Sequence, residues 1–192
     1  MESFITTDAA NPRLDLGAYH AYGTGSGDAL NGLVDPNLFA HPGLVTDAEA
    51  GDNRLGKLTM VDSRTVQGLT SDRRFTLYPD VTTPAPIIRN EELILLRAEA
   101  RLGTGDVVGA AADINFIRVN SGGLAARNDL NADNLLDEIL KQRRYSLMFE
   151  GGHRWIDLRR LNRLEQLPLD LPTHHRQSAF PIPVQEADAR GL

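Results

Sequence analysis

The sequence predicts a mainly α-helical fold in which paired helices follow a loop-rich N-terminal region. Three observations predict it. Apolar residues recur at helical spacing between residues 89 and 163. Nine of the 17 glycines and six of the 10 prolines fall in the first 88 residues, where no helical period is sustained. Charge divides along the same line: residues 1–88 carry a net −5, residues 89–163 a net +1 and residues 164–192 a net −2. The expected organisation is a loop-rich region over 1–88 and a helical region over 89–192.

Several classes are excluded at the outset. With 41% hydrophobic and 24% charged residues, the 192-residue chain is ordinary for a globular domain. A chain of this length buries roughly 70% of its unfolded surface, so it needs no disulfide or metal to hold a core. It has no cysteine, which excludes disulfides, thiolate–zinc sites and thiol nucleophiles from these residues. The net charge of −6 argues against nucleic acid as a general partner, because phosphate binding needs a basic face. No apolar run reaches the ~18–20 residues of a membrane-spanning helix. Met1 to Asp8 lack the basic start and apolar stretch of a secretory signal. The expectation is therefore either a cytoplasmic protein or one whose natural N-terminus lies upstream.

In chain order, Tyr22-Gly23-Thr24-Gly25-Ser26-Gly27-Asp28 reads as a loop. Short strands are expected at Leu55–Val61 and Arg74–Tyr78, where Phe75 and Leu77 alternate with polar residues. Asn90 is the expected cap of a first helix, with Glu91 and Glu92 at the positive end of its dipole. Leu93, Ile94, Leu95, Leu96, Ala98, Ala100 and Leu102 wrap nearly its whole circumference, which predicts burial. Gly103-Thr104-Gly105 ends it. Asp106 caps a second helix through Ile114, Phe116, Ile117 and Val119, closed by Ser121-Gly122-Gly123. A third helix is expected from near Asn131 or Asp133 to Glu150, and a fourth from His153 to Arg163. Ala98 and Ala110, with Gly105 between them, have the spacing of small residues in a tetratricopeptide hairpin. Any antiparallel pair also wants small residues at its closest approach, so the spacing leaves both readings open.

The third helix has an unusual stripe. Leu136, Leu140, Arg143, Leu147 and Glu150 are spaced 4, 3, 4 and 3, so charged groups point where leucines point. Arg154 and Asp157 extend the stripe if the helix bends only slightly at Gly151-Gly152. Buried charges need partners, so Arg143, Glu150, Arg154 and Asp157 are expected to form a structural ion network. The rival reading makes Glu150 and Asp157 the carboxylate pair of a glycoside hydrolase. Neighbouring arginines favour two ionised carboxylates, which argues against a general acid.

Other motifs carry little chemistry. His174-His175 lack the spacing of a metal site, and no cofactor or metal is expected. The glycines from Gly23 to Gly27 match neither a phosphate loop nor a dinucleotide turn. Trp155, the sole tryptophan, is either core packing between helices or a platform for a sugar.

Four segments resemble one family. Ile88-Arg89-Asn90-Glu91-Glu92-Leu93-Ile94-Leu95-Leu96-Arg97-Ala98-Glu99-Ala100 is similar to an arginine–glutamate helix ending in Ala-Glu-Ala. Ala112 to Arg118 is similar to an "iNxiR" helix. Gln142 to Arg160 resembles "ERRxELxxEGxRxxDLxR", and Phe180 to Glu186 resembles "fPIPxxE". Together, in order, they resemble the SusD/RagB family of outer-membrane nutrient-binding lipoproteins. The departures are Gln142 and Ser146 where the family usually has glutamates, a doubled glycine before His153, and Arg190 in place of an asparagine.

The resemblance implies a SusD-like α-helical fold, here its C-terminal portion, built on tetratricopeptide-like helix pairs. It implies a non-catalytic protein, lipid-anchored on the bacterial surface, that delivers a glycan or another oligomeric nutrient to a SusC-type TonB-dependent transporter. Signal and anchor would then precede these residues. The family motifs read as scaffold. Glycan capture needs aromatic faces and a few hydrogen-bonding groups. In the loop-rich region those are Tyr19, His20, Tyr22, Asn31 and Phe39, with Tyr19 and Tyr22 beside the Gly-rich loop. The alternatives are a cytoplasmic helical-repeat adaptor and the hydrolase using Glu150 and Asp157.

Overall fold

The computed structural model describes residues 5–191. Among them are six helices and two separate two-stranded antiparallel ribbons. The residues form two compact units, one reaching Arg154 and one beginning at Trp155.

The first unit opens on irregular chain and strand β1 (Gly17–His20). Next come a single helical turn, α1 (Gly43–Thr46), and a 3₁₀ turn at Asn53–Lys57. Strands β2 (Leu58–Val66) and β3 (Leu69–Phe75) form a hairpin. Its two turn residues, Gln67 (φ 51°) and Gly68 (φ 82°), are both left-handed, matching the twist of the strands they join. The strand expected at Leu55–Val61 thus starts at Leu58 and runs on to Val66, and its partner ends at Phe75 rather than Tyr78. Asp62-Ser63-Arg64-Thr65 has no apolar alternation to reveal a strand. Backbone pairing holds the hairpin, together with hydroxyl contacts between Thr65 and Thr70 (2.7 Å) and between Thr59 and Thr76 (2.8 Å).

Strand β4 (Ala85–Arg89) pairs with β1, placing Gly17 opposite Arg89. A Cβ on Gly17 would lie 2.1 Å from the Ile88 carbonyl oxygen, so only glycine fits there. The division read at 88/89 falls inside β4, which runs directly into α2 (Asn90–Gly103). Arg89, not Asn90, is the N-cap residue of α2. The Asn90 amide is used elsewhere: it accepts from Thr6 N (3.0 Å) and donates to Thr6 O (2.9 Å) and Pro12 O (3.2 Å). This side chain ties the N-terminal chain to the helix start, together with the backbone bonds from Asn90 N to Leu16 O (2.7 Å) and from Glu91 N to Leu14 O (3.1 Å).

Helix α2 buries Ile94, Leu95 and Ala98 completely, but Leu96 is 41% exposed, so it is not buried all round as its apolar wrap suggested. It packs on α3 (Val107–Asn120) and α4 (Leu135–Ser146), which cover only part of its circumference. Gly105 (φ +86°) reverses the chain after α2 while Asp106 N donates to Arg101 O at 2.8 Å. Asp106 caps α3 as expected, accepting from Gly109 N at 2.9 Å. Ala98 and Ala110, both fully buried, lie in one core with Ile94, Leu95, Ile114, Ile117, Leu135, Ile139 and Leu147. A second core joins Ala40, Leu44, Tyr145 and Met148. It fastens α1 to α4.

Helix α4 ends at Ser146, four residues before Glu150. Phe149 (φ 62°), Gly151 (φ 52°) and Gly152 (φ 71°) turn the chain out of the helix. The leucine–arginine–glutamate stripe therefore does not lie on one continuous helix. Helix α5 (His153–Arg160) stops short of Arg163 because Asn162 (φ 55°) adopts the left-handed conformation and Arg163 N donates back to Leu158 O at 2.7 Å.

The second unit holds most of α5, a 3₁₀ turn at Leu164–Gln166 and α6 (Val184–Arg190). Within it the Trp155 ring contacts Phe180 (centroids 4.8 Å apart) and the Arg159 guanidinium (4.8 Å), and its Nε1 donates to Gln177 O at 2.9 Å. His174 and His175 lie in a loop.

Candidate functional site

Two kinds of side chain bear on function: buried charges gathered around α4, and aromatic rings on the loops.

The end of α4 leaves carbonyls without helical partners. Cations supply them. Ser146 O accepts from Arg89 Nη2 (2.6 Å) and from Lys57 Nζ, and Tyr145 O accepts from Lys57 Nζ (3.4 Å). The same two cations hold Glu150. Arg89 donates to it through two parallel bonds, Nε to Oε2 and Nη2 to Oε1, each 3.0 Å, and Lys57 Nζ stands 3.5 Å from Oε1. This is the fork geometry in which arginine binds a carboxylate best. Arg89 Nη1 also donates to Glu91, which accepts from the Ser121 hydroxyl as well. Two positive and two negative side chains, all largely buried, thus join β4, α2, the end of α3, the end of α4 and the 3₁₀ turn.

The electrostatics are consistent with a closed, neutral set. Burial works against the Arg89 charge, but Glu91 and Glu150 outweigh it and hold the guanidinium above its ordinary pKa. Burial lowers the Lys57 ammonium, with Glu150 opposing. Burial would raise the Glu91 carboxyl, yet Arg89 and the Ser121 hydroxyl overcome it and hold it below its ordinary value.

A second cluster surrounds Arg118, which is 1% exposed. It donates to Glu138 (2.6 Å), to both oxygens of Glu49 (2.7 and 3.0 Å) and to Ala125 O (3.0 Å). Arg127 adds a bond to Glu138 at 2.7 Å. Gln142, where the family usually has glutamate, donates to Glu138 at 2.7 Å, and Ser146, the other departure, accepts from Arg54 at 3.0 Å. Neutral side chains at these two places still join the polar network.

Of the four residues read from the stripe, Glu150 is placed as just described. Arg143 is buried and its Nη2 lies 3.5 Å from His153 Nδ1. Arg154 is half-buried on α5. Asp157 is buried and accepts from Arg160 at 2.9 and 3.1 Å. Spacing did not point to Arg89, Glu91 or Lys57 as the partners of Glu150 or its neighbours. Arg89 is 61 residues from Glu150; the only signal was that both sit in the segments that carry the family resemblance. With both oxygens engaged by cations in a buried position, Glu150 lacks the open, water-filled cleft that a glycosidase carboxylate requires.

On the loop side, the structure brings His20 and Tyr22 together, while the Tyr19 phenol feels the charges of Arg89, Glu150 and Glu91. Tyr19 and His20 are exposed on β1, and the His20 and Tyr22 rings lie 6.5 Å apart at 44°. The Tyr19 hydroxyl donates to Asp15 O, and burial of part of the ring raises its pKa. The adjacent Gly-rich turn is fastened by Asp28, whose Oδ2 accepts from Gly25 N at 2.8 Å. Asn31 is 1% exposed, and its amide is engaged by Thr83 O (2.8 Å) and Leu33 N (3.0 Å), so it anchors its loop. Phe39 is half-buried and bridges to Arg74 through its backbone.

The sequence and the fold were compared with known proteins. Residues 79–186 match the family model SusD_RagB, the SusD family. A SusD superfamily protein from Parabacteroides distasonis is 20% identical with a TM-score of 0.50, over 64% of this chain and 31% of its own. A SusD-like protein from Bacteroides fragilis is 41% identical with a TM-score of 0.40, over 44% of this chain and 16% of its own. The chain thus spans less than a third of either solved relative. No curated protein matches. The helical, tetratricopeptide-like fold expected from the sequence is the fold of the superfamily, and the match over more than half the chain places it in the SusD family.

Proposed function

We propose that this chain is part of a non-catalytic protein that captures a nutrient, an oligosaccharide by default, at the outer membrane of a Gram-negative bacterium. The full protein is lipid-anchored and passes its ligand to a SusC-type TonB-dependent transporter. The observation that carries this reading is the family match over residues 79–186. The geometry supports it: the strongest polar cluster is closed on itself as a brace, and exposed aromatic rings lie on β1 beside the Gly-rich loop.

The test is an oligosaccharide array probed with the chain and with its Tyr19→Ala and Tyr22→Ala variants. Retained binding without release of shorter products is the expected result, with both variants weakened. Time-dependent cleavage of a bound oligosaccharide would overturn the non-catalytic reading.

A further inference from the structure

We propose that a small cleft between the Asp35 loop and the end of β3 holds one uncharged sugar ring, a pyranose unit of the captured oligosaccharide; this rests on the binding reading above. The cleft has a volume of about 180 Å³. That is room for about six waters, a suitable size for one pyranose and well below the ~300 Å³ or more of a pocket for a larger ligand.

Its walls are apolar and fixed. Pro36, Tyr78 and Pro79 line it along with Phe75. Phe75 stacks on Phe149 with centroids 4.4 Å apart and planes at 13°, and Tyr78 lies 6.3 Å from the same ring. The Asp35 loop is tied to β3 by Phe75 N to Leu38 O (3.1 Å) and Ala40 N to Arg73 O (2.8 Å). Arg64 donates to Asn37 Oδ1 at 2.5 Å, bracing the loop from the hairpin. A cleft with both sides tied down loses little freedom when it is filled.

Charged residues line it as well. Asp35 Oδ1 accepts from Asn37 N (2.8 Å) and Nδ2 (2.9 Å), and no protein group among the described residues meets its other oxygen. Arg74 lines the cleft with no ion pair or side-chain hydrogen bond among the described residues, unlike Arg54, Arg89 and Arg118, whose guanidinium groups are all engaged. Tyr78, buried to 7% exposure, contributes its ring to the wall, while its hydroxyl feels Glu150, Arg89 and Tyr22. An acceptor and a fork of donors suit the vicinal hydroxyls of a sugar, and the apolar walls suit its C–H faces. The charges of Asp35 and Arg74 cancel. With one charge of each sign in its lining, the cleft has no net charge to favour an ionised sugar, so the ligand class is neutral.

The test is titration calorimetry of the 192-residue chain with maltohexaose, xylohexaose and mannohexaose, and with trigalacturonate as the acidic counterpart. Two variants are compared: Arg74→Met, which keeps the apolar stem, and Asp35→Asn, which keeps the acceptor for Asn37. Each should weaken a binding neutral probe by about tenfold or more at unchanged thermal midpoint, and trigalacturonate should bind more weakly than the neutral probe. If Arg74→Met does not fold, Asp35→Asn decides. Affinity within twofold of the wild type in the folded variants overturns the cleft and leaves the binding reading standing. Tighter binding of trigalacturonate overturns the neutral class. Binding of none of the probes by the wild type counts against both.

Discussion

Arg89 and His20 sit at opposite ends of the same two-stranded ribbon: Gly17 lies across from Arg89, and His20 across from Ala85. At the Arg89 end the residue is 9% exposed and its side chain is bound by two carboxylates and a carbonyl. At the His20 end the imidazole is exposed, with the Tyr22 ring 6.5 Å away. One short strand, Gly17–His20, runs from the closed brace to the exposed imidazole. The difference shows how one ribbon serves scaffold and loop together. A charge within the packed helices must be fully partnered, whereas a ring on the loop keeps a face that something else can cover.

The largest break in this comparison is Glu150→Gln. It removes the charge facing Arg89 and Lys57 without changing size, leaving two buried cations against Glu91 alone. A loss of about 3–5 kcal/mol is expected, read as a lower urea midpoint and a thermal midpoint lower by roughly 10 °C. A loss under about 1 kcal/mol would mean that the cluster is a bystander to folding.

Acid perturbs the same brace more gently. The folded-state pKa of Glu91 lies below its ordinary value because Arg89 and Ser121 favour the ionised form despite burial. The unfolded chain therefore binds more protons in the window between the folded and unfolded values. Stability from this group is fully present above the unfolded pKa and declines as pH falls through the folded one. Urea midpoints measured from pH 7 downward should drop below about pH 4.5. Glu91→Gln should flatten that drop; an equally steep decline in the variant would shift the cause to other carboxylates.

These two regions also differed in how far they could be read beforehand. Helix placement followed from apolar period and capping residues: Asp106 caps α3, and Ala98 and Ala110 meet in the core between α2 and α3. The end of α4 was misread because the 4-3-4-3 spacing of Leu136 to Glu150 continues through a left-handed Phe149, a residue type that gives no local warning of such a turn. The brace escaped spacing arguments because its members come from a 3₁₀ turn, a strand and three helix ends. Period reports neighbours on one element, not partners 61 or 93 residues apart. Asn31 was chosen for its hydrogen-bonding amide, and that amide is used within its own loop. Exposed rings beside glycines were visible in composition; the cleft at Asp35 and Arg74 was not, since it exists only once the loop lies along β3.

The smallest expected effect is on the open side of the ribbon. His20 is exposed, and among the described residues its one ring contact is the tilted Tyr22 ring at a 6.5 Å centroid distance. Replacing it with alanine creates no cavity and strands no charge, so the unfolding free energy should change by less than about 0.5 kcal/mol. Urea unfolding of His20→Ala beside Glu150→Gln puts both ends of the comparison on one scale. If the loop variant cost as much as the brace variant, His20 would be part of the packing, and the contrast between the two ends of the β1–β4 ribbon would not hold.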